Sequence, residues 1–160
     1  MAATRQMDMA DVYGRSMDEA VEEVFSLMMG VHCASVDDCP DDGAEIISSV
    51  IGLAGAMSGT CVLRCEERTA RRIAGALTGT EFKSLDNLVK DAMGEVCNMV
   101  TGAWKGRHPV FASKCMLSTP TVVTGSSYQL HTQRPELRIE RYYRFEACSF
   151  SFSLVCESMQ

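Results

Sequence analysis

The chain has 160 residues, 46% of them hydrophobic and 22% charged, which is the composition of a globular protein with one well-packed domain. Its net charge of −6, without a basic block, argues against a nucleic-acid partner. No apolar run approaches the roughly 18 residues of a membrane helix, and the N-terminal sequence lacks the apolar segment of a signal peptide. We therefore expect a cytoplasmic protein without membrane contact.

The eight cysteines are spread through the chain, mostly inside apolar segments, and none forms a C-x-x-C pair. The three histidines show no ligand spacing either, so no metal site is predicted. Free cysteine behaves as a small buried hydrophobe. All eight are predicted to be reduced thiols, and redox or metal chemistry is the less favoured alternative.

The N-terminal region predicts a tail followed by a helix. We expect a flexible tail over residues 1–15 and the domain proper over residues 16–160. Ser16 and Glu19 form a capping-box pattern, and apolar residues recur at helical spacing after it. Gly30 suits the C-terminal end of this first helix.

The next segments predict β-structure. Residues 32–43 indicate a short strand and then a turn. Residues 45–55 and 59–65 are rich in β-branched and apolar residues, and they flank a turn with glycine and serine. These two runs predict a hairpin.

Two helices are predicted after this hairpin. The first is short and ends at Gly79, and Ser84 can cap the second, which runs from residue 85 to about 105. Trp104, near the end of the second helix, is expected to be partly buried.

The rest of the chain changes to a period of two. Residues 115–125 and 126–133 predict a second hairpin around Gly125, and residues 137–157 predict one or two further strands. In the last strand apolar residues alternate with serines, which is typical of an antiparallel sheet covered on one face. The order of elements predicts a single α+β domain with a largely antiparallel sheet and helices on one face.

One face of the long helix carries a row of polar and small residues. On a wheel of 3.6 residues per turn the apolar side chains form a core stripe, namely Leu85, Leu88, Val89, Ala92, Val96, Met99, Val100 and Ala103. Opposite this stripe, a nearly straight line at i, i+4, i+7 and i+11 holds Asp91, Glu95, Asn98 and Gly102.

A polar face is the ordinary state of a solvated helix, but two features set this one apart. Asp91 and Glu95 put like charges at i and i+4, where an ordinary surface tends to pair opposite charges. Gly94 and Gly102 each cost about 0.5–1 kcal/mol relative to alanine inside a helix. Small residues beside a polar pair leave room for a close approach by another backbone.

Three segments, in this order and spacing, resemble the CheX-like family of chemotaxis phosphatases, which is related to the CheC and FliY proteins. They are VIGLAGAMSGTCVLRCEERTARRIAGALTG at residues 50–79, DNLVKDAMGEVCNMVTG at 86–102 and LSTPTVVTG at 117–125. The resemblance covers roughly residues 16–157. It implies a fold of the CheC/CheX type.

The core motif of that family is matched at four positions. It consists of an acidic residue or serine, three other residues, Glu, two other residues, Asn, and a proline some twenty residues later, here Asp91, Glu95, Asn98 and Pro120. For Pro120, the break of an edge strand is the favoured explanation. Asp91 is as readily a surface charge as a rim contact for a partner.

The resemblance implies a protein phosphatase that acts on the aspartyl phosphate of a CheY-like receiver domain. The receiver would supply Mg²⁺ and a lysine, and this chain would bind no cofactor. Asn98 would orient the attacking water and Glu95 would dock the receiver lysine, with Asp91, Gly94 and Gly102 at the partner surface. Relatives of this type form homodimers through their sheets. The alternatives are a response-regulator-binding module without catalysis and a flagellar-switch component.

The first helix repeats part of the motif. Asp18, Glu22 and Phe25 have the spacing of Asp91, Glu95 and Asn98. An aromatic ring cannot orient water as an amide does. The first helix is therefore predicted to be a degenerate copy, and the chain to carry one active site.

Overall fold

A computed structural model describes residues 2–39, 44–126 and 128–160. The described elements, in chain order, are α1 (Ala2–Val24), a π-helical turn (Phe25–Met29), β1 (Ala34–Val36), β2 (Ile46–Gly55), β3 (Met57–Glu66), α2 (Glu67–Thr78), α3 (Asn87–Gly106), α4 (Pro109–Lys114), β4 (Cys115–Leu117), β5 (Thr121–Gly125), β6 (Leu137–Phe145) and β7 (Cys148–Met159). The α+β fold predicted from the sequence is confirmed.

The strands form one seven-stranded sheet in the order β1-β6-β7-β3-β2-β4, and β5 also pairs with β2. Each of these pairings is antiparallel. On one face α1 packs against β6, α2 against β7, and α3 against β2 and β3. Inward side chains of the central strands, such as Ile51, Leu63 and Phe152, are fully buried under these helices. The core therefore lies between this sheet face and the helix layer, as predicted.

The N-terminal prediction is wrong in one respect. Helix α1 begins at Ala2, so the segment expected as a tail is helical and Ser16 is an interior residue rather than a cap. Its hydroxyl donates to the Tyr13 carbonyl at 3.0 Å and lies 2.7 Å from His108 Nε2. Tyr13 also packs edge-on against the Trp104 ring. The contact between Tyr13 and Trp104 stabilises the part of α1 that precedes Ser16. Gly30 ends the helical segment with φ 66°, as predicted.

The first predicted hairpin is confirmed as β2 and β3, but its turn is tighter than expected and lies at Ala56. Gly55 has φ 113°, and a Cβ there would lie 2.1 Å from the Lys114 carbonyl oxygen. Ala56 N donates to that same carbonyl at 2.8 Å. Glycine is therefore required at this position by both the backbone conformation and the close approach of α4. Helix α2 and its end at Gly79 are also confirmed.

The second predicted hairpin, around Gly125, is wrong. Strands β4 and β5 both pair with β2, and residues 128–136 form no strand. Tyr128 instead turns back over the sheet face opposite the helices, and its hydroxyl donates to Ser48 Oγ at 2.6 Å. The edge of β2 that does not pair with β3 provides backbone hydrogen-bond partners for both β4 and β5. The segment after Gly125 therefore does not need to form a hairpin with β5. The last predicted strands are confirmed as the hairpin of β6 and β7.

The short strand predicted near residue 34 is confirmed as β1, which pairs with β6. Residues 40–43, where the following turn was predicted, lie outside the described residues. The eight cysteines are free thiols, and seven of them are buried, with Cys39 partly exposed. Burial raises the pKa of the Cys97 thiol to about 11 and that of Cys33 to about 12, so both stay protonated at neutral pH.

No helix in the described part of the chain has both the length and the apolar character that crossing a membrane requires.

Candidate functional site

The polar row lies on α3, which starts at Asn87, two residues later than predicted. Asp86, not Ser84, is the N-cap, and its carboxylate accepts a hydrogen bond from Val89 N at 3.1 Å. Aspartate at this position also complements the positive end of the helix dipole. Lys105 lies in the last turn, where a cation is favourable. The sequence therefore stabilises both ends of the helix that carries the candidate site.

Three contacts hold α3 against the rest of the domain. Cys97 Sγ donates to the Ser49 carbonyl of β2 at 3.4 Å, in the middle of the helix. Trp104 Nε1 donates to the Tyr13 carbonyl of α1 at 3.2 Å, and Trp104 is 1% exposed, so it is buried more deeply than predicted. Beyond the helix end, Arg107 pairs with Glu23 of α1 at 2.6 Å. A helix fixed in this way presents its outer face with little freedom to move.

The outer face of α3 presents the predicted pair. Asp91 and Glu95 are exposed and Asn98 is half-buried, so all three side chains reach solvent. At 1.5 Å per residue, Asp91 and Asn98 lie about 10 Å apart along the helix axis. Within the described part of the chain, none of these three side chains has a hydrogen-bond or ion-pair partner. Two carboxylates and an amide are therefore available to a second molecule.

Gly94 does not lie on a partner surface, contrary to the prediction. It is buried, and a Cβ built on it would lie 3.2 Å from Pro120 Cβ and 3.9 Å from Val122 Cγ2. The close approach that its small size allows is made by the chain itself. Gly102 differs, because a Cβ there would meet nothing within 4 Å. Its place at the partner surface stays a prediction.

The link between β4 and β5 brings Pro120 onto α3. Ser118 fastens this link to β2, because Gly52 N donates to Ser118 Oγ at 2.8 Å and Ser118 N donates to the Gly52 carbonyl at 2.9 Å. Pro120 has no N–H and cannot continue a sheet ladder, so the chain leaves β2 here and returns as β5. The motif proline, Pro120, thus packs against Gly94, which lies one helical turn before Asn98.

Leu88 was predicted in the core stripe, and this is wrong. Its side chain is 64% exposed, whereas Val89 and Val96 are fully buried. Seven residues make almost two full turns, so Leu88 lies on the same face as Glu95 rather than on the core side. The apolar character of Leu88 favours the core, but its angle on the helical wheel places it on the polar face.

Two of the three counterpart positions, Asp18 of α1 and Phe25 of the π-helical turn, are used inside the domain, whereas Glu22 is exposed. Asp18 accepts hydrogen bonds from Arg141 Nε at 3.0 Å and from the Tyr143 hydroxyl at 2.7 Å. Burial, and then the Asp18 carboxylate, raise the pKa of Tyr143 far above its usual value, so this phenol remains a donor. Phe25 is fully buried and stacks on Phe150 with ring centroids 4.9 Å apart. These contacts support, but do not test, the prediction of one active site.

A family model described as "Chemotaxis phosphatase CheX" matches residues 47–140, more than half of the chain and the whole of α3. The chain belongs to the CheX family. The matched range of this CheX-family chain contains Asp91, Glu95, Asn98 and Pro120.

A curated relative, the "CheY-P phosphatase CheX" of Thermotoga maritima, is 29% identical over 83 residues. This match covers 51% of the CheX-family chain and 54% of the relative, so the chain spans about half the length of the curated protein it matches.

Solved structures share the fold. The chemotaxis protein CheX from Vibrio vulnificus has a TM-score of 0.75 at 21% identity, covering 90% of this chain and 95% of that one. A CheX-CheY-BeF3-Mg²⁺ complex from Borrelia burgdorferi contains a chain with a TM-score of 0.72 at 16% identity, covering 91% of this chain and 98% of that one. At these identities the comparison establishes the architecture of the CheX-family chain.

Proposed function

We propose that this chain is a phosphatase that hydrolyses the aspartyl phosphate of a CheY-like receiver domain. The observation that carries the proposal is the pair Glu95 and Asn98. Both side chains reach solvent without a partner among the described residues, on a helix that is fixed to the sheet. The family description and the CheY-P phosphatase relative supply the reaction class.

The reaction needs positioning more than covalent chemistry. An acyl phosphate is already reactive, and phosphoryl transfer through a loose transition state requires an in-line water and stabilisation of charge. The water oxygen bonds to phosphorus as the bond from phosphorus to the aspartyl oxygen breaks. The electron pair of that bond stays on the aspartate carboxylate, and the water proton leaves to phosphate or solvent.

Asn98 is suited to hold this water. Its carboxamide oxygen accepts a hydrogen bond from water and its NH₂ group donates one, and neither adds negative charge beside the phosphoryl group. A carboxylate in the same place would repel the phosphoryl oxygens. Asn98 is half-buried, which limits the number of positions its side chain can take.

Glu95 is proposed to dock the receiver by pairing with the lysine near its phosphate. It lies about 4.5 Å from Asn98 along the helix axis, close enough to share one footprint. Asp91 extends the acidic rim by one more turn. Mg²⁺ belongs to the receiver in this proposal, and this chain contributes no metal ligand; the Borrelia burgdorferi complex contains CheY, BeF3 and Mg²⁺ together with CheX. A homodimer and a cytoplasmic location belong to the same proposal, and light scattering in solution tests the former.

The test follows loss of ³²P from labelled receiver domains of the same organism. We expect Asn98→Ala to lower the accelerated rate at least about 100-fold with receiver binding largely kept, because misplacing a reacting group costs about that factor. Glu95→Lys is expected to weaken binding, since it sets a cation against the receiver lysine. Asn87→Ala is a matched control on the same helix and is expected to stay within about twofold of wild type.

Two results would contradict the proposal. Wild-type protein that binds a phosphorylated receiver without accelerating phosphate loss would establish a binding module of the regulatory or flagellar-switch kind. Full activity in Asn98→Ala would remove the amide from the mechanism.

A further inference from the structure

A single large apolar side chain on α3 is strongly exposed. Among the described residues of this helix, Val89, Val96, Val100 and Trp104 are buried, whereas Leu88 is 64% exposed. Scattered exposed leucines are normal on protein surfaces, and Leu27 in the π-helical turn is 74% exposed. Exposure alone therefore assigns nothing to Leu88.

The position of Leu88 is what separates it from Leu27. Leu88 precedes Asp91 by three residues and Glu95 by seven, so it begins the same straight row. Spacings of three and four residues in alternation form the seam along which a second surface meets a helix. Leu88 lies about 10 Å from Glu95 and about 15 Å from Asn98 along the axis.

A partner seated on the row would cover Leu88. A standard protein–protein interface buries roughly 800 Å² per partner, equivalent to a disc of roughly 16 Å radius. A footprint centred on Glu95 includes a side chain about 10 Å away. The same face continues through Asn98 to Gly102, so Leu88 marks one end of the surface that docking would use.

The chemistry of the row explains why an apolar contact is needed. Asp91 and Glu95 pay a desolvation cost on docking, and exposed ion pairs add little net affinity. The affinity of transient complexes comes mainly from a few buried apolar or aromatic anchors inside a polar rim. Leu88 is the side chain of α3 that can supply such an anchor.

We propose that Leu88 is an affinity-determining contact residue, which anchors an apolar patch of the receiver domain beside its phosphate pocket. This inference rests on the proposed function and deepens it, because it names the surface chemistry of the partner. Leu88 touches no reacting group, so it holds the receiver while Asn98 acts on the water.

The experiment measures binding and turnover separately. A receiver activated with beryllofluoride and Mg²⁺ is titrated with wild type, Leu88→Ala and Leu88→Met, and the same variants are assayed for KM and kcat on the phosphorylated receiver. Leu27→Ala is the matched control, since it removes another strongly exposed leucine, which lies outside α3. Thermal unfolding of each variant checks the fold, which truncation of an exposed side chain should leave intact.

We expect Leu88→Ala to raise Kd and KM roughly tenfold with kcat within about twofold of wild type, a change in binding free energy of about 1.4 kcal/mol. Leu88→Met is expected to retain most of the wild-type affinity for the receiver, because methionine has a similar apolar volume to leucine. Leu27→Ala is expected to match wild type.

Unchanged binding in Leu88→Ala overturns this inference while the phosphatase proposal stands, and so does an equal loss in Leu27→Ala. A fall in kcat with unchanged Kd also overturns it, since Leu88 would then act on the chemical step. If wild type binds the receiver but does not hydrolyse its phosphate, the phosphatase proposal fails, and the Kd values still decide the role of Leu88. Wild type that binds no activated receiver refutes both.

Discussion

Helices α1 and α3 carry the same spacing of acidic residues, and the exposed Glu22 matches the exposed Glu95, but the first and third positions of the motif are used in opposite ways. On α1, Asp18 faces β6 and is held by Arg141 and Tyr143. On α3, the equivalent Asp91 is exposed and has no partner among the described residues. The third position is a buried phenylalanine in the π-helical turn that follows α1, and a solvent-reaching asparagine on α3.

This difference between α1 and α3 shows that the spacing of acidic residues on a helix does not by itself decide their function. A row of acids on a helix becomes structural when a basic strand residue packs against it, and becomes available for a partner when nothing does. The helical face that meets the sheet is chosen by the apolar residues around the row. On α1 these include Met17 and Val21, both fully buried and adjacent to Asp18 in the helix.

The largest expected effect comes from restoring the motif on α1. Phe25→Asn removes a buried ring stacked on Phe150 and places an amide in an apolar core, so we expect a loss of about 3–5 kcal/mol in the free energy of unfolding. Urea titration measures this loss. In an Asn98→Ala background, Phe25→Asn is expected to restore no phosphatase activity. A stable, active double variant would show that α1 also presents its row to a partner.

A smaller effect on stability is expected to distinguish Asp18 on α1 from Asp91 on α3. Asp18→Asn weakens charge-assisted hydrogen bonds to Arg141 and Tyr143, and we expect a loss of about 1–2 kcal/mol in unfolding free energy because the pair is only partly shielded from water. Asp91→Asn, the matched change on α3, is expected to alter stability by less than about 0.5 kcal/mol. Equal losses in urea titrations of the two variants would contradict this distinction.

The smallest effect concerns the two glycines of α3. Gly102→Ala is expected to stabilise the protein by about 0.5–1 kcal/mol, because a Cβ there meets nothing and alanine favours the helix. Gly94→Ala is expected to gain less or to destabilise, since its Cβ must displace Pro120 by a few tenths of an ångström. Thermal unfolding of the two variants compares them directly. A larger gain at Gly94 would mean that Pro120 moves freely and does not support the row.

Several parts of the molecule were predictable because they depend on neighbours along the chain. The hairpin of β2 and β3, helix α2 with Gly79 and the alternation of β7 all follow from local periodicity and turn residues. The second hairpin was predicted wrongly for the same reason, since β5 takes its partner from β2 rather than from the next segment. The placement of Gly94 also depended on a distant loop, the one that carries Pro120.

By itself, the amino-acid sequence determined the alternation of elements, a helix from about residue 85 to about residue 105 and the line of Asp91, Glu95 and Asn98 along it, because a period of 3.6 residues is a local property of the chain. Only the tertiary structure decided which of these helix faces are covered by other segments of the chain. Arg141 reaches Asp18 from 123 residues away, and Pro120 closes over Gly94 while Leu88 remains uncovered. Burial depends on segments distant in sequence, and local periodicity carries no information about where those segments pack.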